Sequence, residues 1–178
     1  MKKTILIASA VLFFYACGKN KENQPNAEIN SESQNNVQSE YKKNEYYFKL
    51  PGIEKEIDLK DYANKPVLVM FFTENCPYCR KATPFIKSVY EKYKGKIEVI
   101  GITLGTSLET LKDYKKEFNI EFDLAYKGKV HAAKYHVQGV PTIILLNKKH
   151  DPYNNWIGYD ESYKEDINKN IEEVIKEK

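Results

Sequence analysis

Arginine is nearly absent from this 178-residue chain: Arg80 stands alone, and lysine carries the rest of the positive charge. Lysine is a point charge without the planar fork that grips phosphate through paired hydrogen bonds, so phosphate recognition is a poor fit as the main task. The formal net charge is only +3, with Lys and Glu interspersed, which leaves no basic face for nucleic acid. Cysteine is scarce as well. Of three cysteines only two form a close pair, and a structural zinc site, which needs four ligands, finds no second pair to complete it. The three histidines, His131, His136 and His150, stand at no ligand-like spacing and read as surface residues. Long apolar runs are missing except near the N-terminus. There Ile5 to Phe14 is ended by Gly18-Lys19-Asn20, short of the roughly 20 apolar residues of a secure membrane span.

That N-terminal run has Lys2 and Lys3 before it and the small residue Ala16 after it, the layout of a signal peptide over residues 1–16. Ala16-Cys17 resembles the lipobox of bacterial lipoproteins, although Phe14 and Tyr15 stand where an aliphatic and a small residue are usual. The resemblance implies cleavage before Cys17 and lipidation of its sulfur, which also disposes of the third thiol. Residues 17–45 are rich in Asn, Gln, Ser, Glu and Lys and cannot bury enough apolar surface to fold. They read as a tether with a root-mean-square reach of about 25–30 Å. The chain is 42% hydrophobic and 13% aromatic, which suits one domain over residues 46–178 beside that remainder.

Within the domain the pattern is α/β. Residues 46–50, a Pro51-Gly52 turn and residues 53–59 read as a hairpin, with the Tyr46-Tyr47-Phe48 cluster as core. Val67 to Phe72 is continuously apolar, as expected of a strand buried on both faces. A helix over 79–93 follows, with Ala82, Phe85, Ile86, Val89, Tyr90 and Tyr93 on one stripe, Pro84 inside it as a predicted kink, and Gly95 closing it. Residues 97–102 give the next strand. Thr106 with Glu109 predicts a capping box for a helix to about Phe118, followed by a short strand over 122–125 and a short helix over 130–135. Strands over 142–146 and 154–159 and a terminal helix from Asp160, buried through Tyr163, Ile167, Ile171 and Val174, complete the domain.

The chemistry sits at Cys76-Pro77-Tyr78-Cys79, where a strand gives way to a helix N-terminus. Two thiols separated by two residues can close and reopen a disulfide. Unpaired N–H groups and the helix dipole favour a thiolate on the first of them. Pro77 restricts the loop, and Tyr78 places a ring and hydroxyl beside the sulfurs. On this reading the dithiol itself is the redox centre, with no cofactor and no metal.

The strand, the Cys-Pro-Tyr-Cys at a helix start, and Val140-Pro141-Thr142 opening a later apolar strand together resemble the thioredoxin superfamily. Phe48-Lys49-Leu50, Ile57-Asp58-Leu59, Lys65-Pro66-Val67-Leu68-Val69 and Lys134 to Thr142 are similar to its extracytoplasmic TlpA/ResA branch. The resemblance implies a thioredoxin fold: a central mixed sheet flanked by helices, with an N-terminal hairpin and a strand-helix insertion between Thr103 and Leu124. It also implies a cis bond at Pro141 and substrate contacts from Val140, Pro141 and Thr142. Two positions depart from the pattern. Met70 stands where thioredoxin has a buried aspartate that assists proton transfer, leaving Glu74, an exposed loop residue on its plainest reading, or water as acceptor. Asn75 replaces the tryptophan that often precedes the first cysteine.

The resemblance implies thiol-disulfide exchange with protein substrates of the cell envelope, with Cys76 as nucleophile and Cys79 resolving. It further implies the direction of a reductant, recharged by a membrane thiol transporter and serving apocytochromes c or other envelope proteins. Two other readings stand beside it. A peroxiredoxin-like peroxidase is suggested by Thr73, three residues before Cys76, with Arg80 as the guanidinium, although Val69 occupies its proline position. A Sco-like copper module would use Cys76, Cys79 and a histidine such as His136.

Overall fold

The structure, a computed structural model, describes residues 44–177. The signal peptide, Cys17 and all but the last two residues of the expected tether lie outside the described residues. Two three-residue strands, β1 (Lys49–Pro51) and β2 (Glu56–Asp58), pair antiparallel. Pro51 belongs to the strand and not to the turn; the reversal lies at Gly52–Lys55, closed by Gly52 N–H donating to Lys55 O at 3.0 Å. A 3-10 turn over Leu59–Tyr62, capped by the Asp58 side chain, leads to the main sheet.

That sheet has the order β5-β4-β3-β6-β7. β3 (Val67–Phe72) lies at its centre, parallel to β4 (Glu98–Thr103), which is in turn parallel to β5 (Asp123–Ala125). β6 (Thr142–Leu146) runs antiparallel to β3, and β7 (Pro152–Ile157) antiparallel to β6. Parallel neighbours need crossovers, supplied by α1 (Pro77–Lys92) between β3 and β4 and by α2 (Leu108–Glu117) between β4 and β5. α3 (Lys129–Lys134) and α4 (Tyr163–Lys176) follow.

Alternation along β3 divides the core in two. Leu68, Met70 and Phe72 join α1, α2 and α4 through residues such as Ile86, Leu111 and Ile171. Val67, Val69 and Phe71 face Phe48, Leu59 and α3. All six β3 residues are buried, and at roughly 1.5–3 kcal/mol for each large apolar side chain this strand is the fold's main anchor.

The boundaries differ from the sequence reading where capping and side-chain partners decide. α2 is capped by Ser107, whose hydroxyl accepts from Thr110 N–H at 3.2 Å; Thr106 stands one residue outside, so the expected Thr106–Glu109 box does not form. α1 passes through Pro84 without ending and stops at Tyr93, two residues before Gly95, which takes φ +80° in the following turn. β7 begins and ends two residues earlier than expected. His150 is not a surface residue. It is fully buried, and its Nε2–H donates to the carbonyls of Tyr62 and Lys65 at 3.2 Å each, tying the β6–β7 loop to the segment entering β3. Both acceptors are carbonyls, so the ring carries its proton on Nε2.

Candidate active site

β3 ends at Phe72, and the turn Thr73-Glu74-Asn75 delivers Cys76 to the N-cap of α1. Pro77 takes the first helical position, where its missing N–H costs nothing and its fixed φ suits the helix. The helix therefore begins two residues before the start at Cys79 read from the apolar stripe. Cys76 Sγ accepts from the Cys79 N–H at 3.3 Å, the place of a capping oxygen, and donates to Val140 O at 3.5 Å. An N–H pointing at sulfur at a helix N-terminus is the arrangement that stabilises a thiolate.

The two thiols are free and differ in environment. Cys76 is half-buried, whereas Cys79 is fully buried in the core shared with Met70 and Ile86. Burial, reinforced by the contact with Cys76, pushes the Cys79 thiol up to about 12. Tyr78 projects into solvent, with Lys81 Nζ 5.5 Å from its ring centre. Asn75 and Pro77 are exposed.

Across from the dithiol the Val140–Pro141 bond is cis. Pro141 and Thr142 are buried and Val140 is half-buried. Thr142 Oγ1 donates to Gly139 O at 2.7 Å, and the Gly158 N–H just past β7 donates to Pro141 O at 2.7 Å, so the proline loop is held from both sides. The Cys76–Val140 contact bridges residues 64 apart in the chain. Topology explains it: β3 and β6 are neighbours, and β6 starts where β3 ends.

Glu74 is not the exposed loop residue that its position in a turn suggests. It is only 8% exposed, its Oε1 has no hydrogen-bond partner among the described residues, and a Cβ on Gly105 would stand 3.1 Å from its Oε2. The turn that would leave it in solvent is covered by the loop joining β4 to α2. Arg80 donates to the Glu74 carbonyl at 3.2 Å, pairs with Glu117, and holds its guanidinium carbon 4.9 Å from the Phe118 ring centre. Arg80 thus links the turn before Cys76 to the C-terminal end of α2. Among the described residues no three His, Cys, Asp or Glu side chains converge as metal ligands.

Two residues that the sequence reading does not single out, Thr83 and Tyr114, stand behind the dithiol. Thr83 Oγ1 donates to Cys79 O at 2.9 Å and shares a hydrogen bond with the Tyr114 hydroxyl. The four-residue step from Cys79 to Thr83 is legible in the sequence as one helical turn, but Tyr114 arrives from another helix and leaves no such signal.

A Cys-x-x-Cys pair capping the helix after the central strand, facing a cis-proline loop on an antiparallel neighbour, defines a thioredoxin-fold dithiol protein. A thioredoxin-like family model matches residues 64–151. The thiol-disulfide oxidoreductase ResA of Bacillus cereus is 32% identical over 96 residues, covering 53% of this chain and 56% of that relative. The chain thus spans about half the length of the curated relatives it matches. A putative thiol:disulfide interchange protein DsbE from Chlorobium tepidum superposes with a TM-score of 0.69 at 23% identity, covering 72% of this chain and 93% of that one. A putative protein disulfide isomerase from Bacteroides thetaiotaomicron gives a TM-score of 0.67 at 24% identity, covering 74% and 87%. The chain has the thioredoxin fold and, over the matched residues, is similar to thiol-disulfide oxidoreductases of the TlpA/ResA type.

Proposed function

We propose that this protein is an extracytoplasmic thiol-disulfide oxidoreductase that reduces disulfides of envelope proteins, held near a membrane by lipidated Cys17. The observation that carries the reading is the asymmetry of the pair: Cys76 is half-exposed at a helix N-cap with an N–H on its sulfur, and Cys79 is buried and protonated behind it. ResA relatives bear the name of this activity. Among the described residues no helix is long and apolar enough to cross a membrane, so an anchor falls to the N-terminal segment.

The cycle follows from the asymmetry. The Cys76 thiolate attacks one sulfur of a substrate disulfide, forming a mixed disulfide and releasing one substrate thiolate. Cys79 then loses its proton and attacks Cys76 Sγ, so the second substrate thiolate leaves and the Cys76–Cys79 disulfide remains. Two electrons have passed to the substrate. A membrane thiol-electron transporter restores the dithiol, and oxidised apocytochromes c are fitting substrates. Val140 meets the Cys76 sulfur through its carbonyl, and a substrate chain would lie along the segment Val140-Pro141-Thr142. Glu74, the carboxylate nearest in sequence to either thiol, accepts the Cys79 proton. No bound cofactor is required, since the cysteine pair stores the electrons.

Replacement of each cysteine tests the cycle. Cys76→Ser should abolish exchange, and Cys79→Ser should trap a mixed disulfide with substrate; an active Cys76→Ser protein refutes the assignment. The direction is read from the reduction potential against glutathione. A value near about −270 mV or lower supports a reductant, and one near about −120 mV an oxidant.

A further inference from the structure

Behind the dithiol, in a core otherwise built of Met70, Phe72, Ile86 and similar side chains, two hydroxyls are buried: Thr83 is fully covered and Tyr114 is 2% exposed. Burying hydroxyls in apolar surroundings is costly unless they are bonded, and these are bonded to one another. The direction of the chain is determined. Thr83 has one proton, and it goes to the Cys79 carbonyl at 2.9 Å. The Tyr114 hydroxyl must therefore donate to Thr83 Oγ1. Tyr114 O–H to Thr83 O–H to Cys79 C=O is a continuous relay from α2 to the turn that carries the resolving cysteine.

A second set of contacts ties the same turn to the same helix. Arg80, the residue after Cys79, pairs with Glu117 and lies over the Phe118 ring, and Lys87 Nζ donates to Phe118 O at 2.7 Å. The ring of Tyr114 stacks on Phe72 with centres 5.0 Å apart, so its hydroxyl is aimed by packing against the last residue of β3. The inserted helix α2 is thereby fastened to α1 from Arg80 to Lys87. Tyr114 and Cys79 also influence each other electrostatically. Burial raises the tyrosine to about 12, and a charge on Cys79 adds to the rise.

We propose that Tyr114, acting through Thr83, is a positioning residue that orients the turn bearing Cys79 for attack on the mixed disulfide. The proposal rests on the oxidoreductase reading, and it assigns to α2 a part in the resolving step that neither cysteine motif nor proline loop supplies. Tyr114 touches no reacting atom. Its effect falls on the second step, because Tyr114 bears on the turn of the resolving cysteine while Cys76 keeps its contact with Val140 without it.

The test separates attack from resolution in single-turnover reactions of the full chain with a disulfide-bonded peptide. Tyr114→Phe keeps the ring on Phe72 and deletes only the hydroxyl. It is expected to slow resolution at least about fivefold, with mixed disulfide accumulating, while the attack rate of Cys76 stays within about twofold of wild type. Thr83→Val should slow resolution likewise, Thr83→Ser should restore the wild-type rate, and the double variant should be no slower than Thr83→Val, as residues on one path require. Resolution at the wild-type rate in Tyr114→Phe, or equal slowing of both steps, overturns the proposal. Failure of the wild type itself to form any mixed disulfide strikes instead at the oxidoreductase reading, so the two failures are distinguishable.

Discussion

The buried resolving thiol offers the sharpest quantitative test. Cys79 titrates at about 12, with burial the larger cause and the contact with Cys76 the smaller. Against an ordinary cysteine near 8.5–9, the thiolate fraction at neutral pH falls on the order of 10³-fold, equivalent to about 4–5 kcal/mol. Cys76→Ala removes the smaller cause and leaves the burial. In that variant Cys79 should still titrate well above about 8.5, followed by the ultraviolet absorbance of the thiolate, and it should resist alkylation at neutral pH while urea-unfolded protein reacts normally. The stability sign follows from the same asymmetry. The folded state holds the proton more tightly than the unfolded chain, so the contribution is fully present below about pH 8.5 and is lost as pH rises toward about 12. A Cys79 titrating near 8.5 in folded Cys76→Ala would refute the argument that burial governs this thiol.

Three further outcomes are expected. Glu74→Gln should slow the resolving step by about 10²-fold, within the usual range for loss of a proton acceptor, and leave thermal stability unchanged or raised because an unpaired buried carboxylate is removed; a wild-type pH–rate profile would count against it. Gly128→Ala places a Cβ 2.2 Å from Ile102 Cγ2 and 3.0 Å from Thr103 O, so urea denaturation should show a loss of about 1–3 kcal/mol, and an unmoved midpoint would contradict the packing. Burial lowers the titration of His150, so the unfolded chain takes up its proton first as pH falls below about 6.5. Stability should therefore decline on acidification in wild type and decline less in His150→Gln, measured by denaturation across that window; identical slopes would remove His150 from the account.

Much of the frame is legible in the chain itself. The continuous apolar run of Val67 to Phe72 can be satisfied only by burial on both faces, and it is the central strand. The stripe from Ala82 to Tyr93 fits one face of a helix, and α1 buries most of it. Residues 142–146 form a strand with the bounds read from their apolar run. Signals of this kind are local, since period and apolarity act on neighbours. Differences arise where one residue or one covering loop decides: Ser107 caps α2 in place of Thr106, because both hydroxyls are locally plausible and only the backbone bend selects one.

The dithiol, its spacing and its place at a helix start are properties of the sequence, because they depend on contacts three or four residues long. The inequality of the two thiols depends on the fold. Cys76 meets Val140 from 64 residues away, Tyr114 reaches Thr83 from 31, and the loop around Gly105 covers Glu74. Which sulfur is solvated, which proton is held and which carboxylate is buried are questions of dielectric and distance in three dimensions. They are answered only when strands far apart in the chain lie side by side.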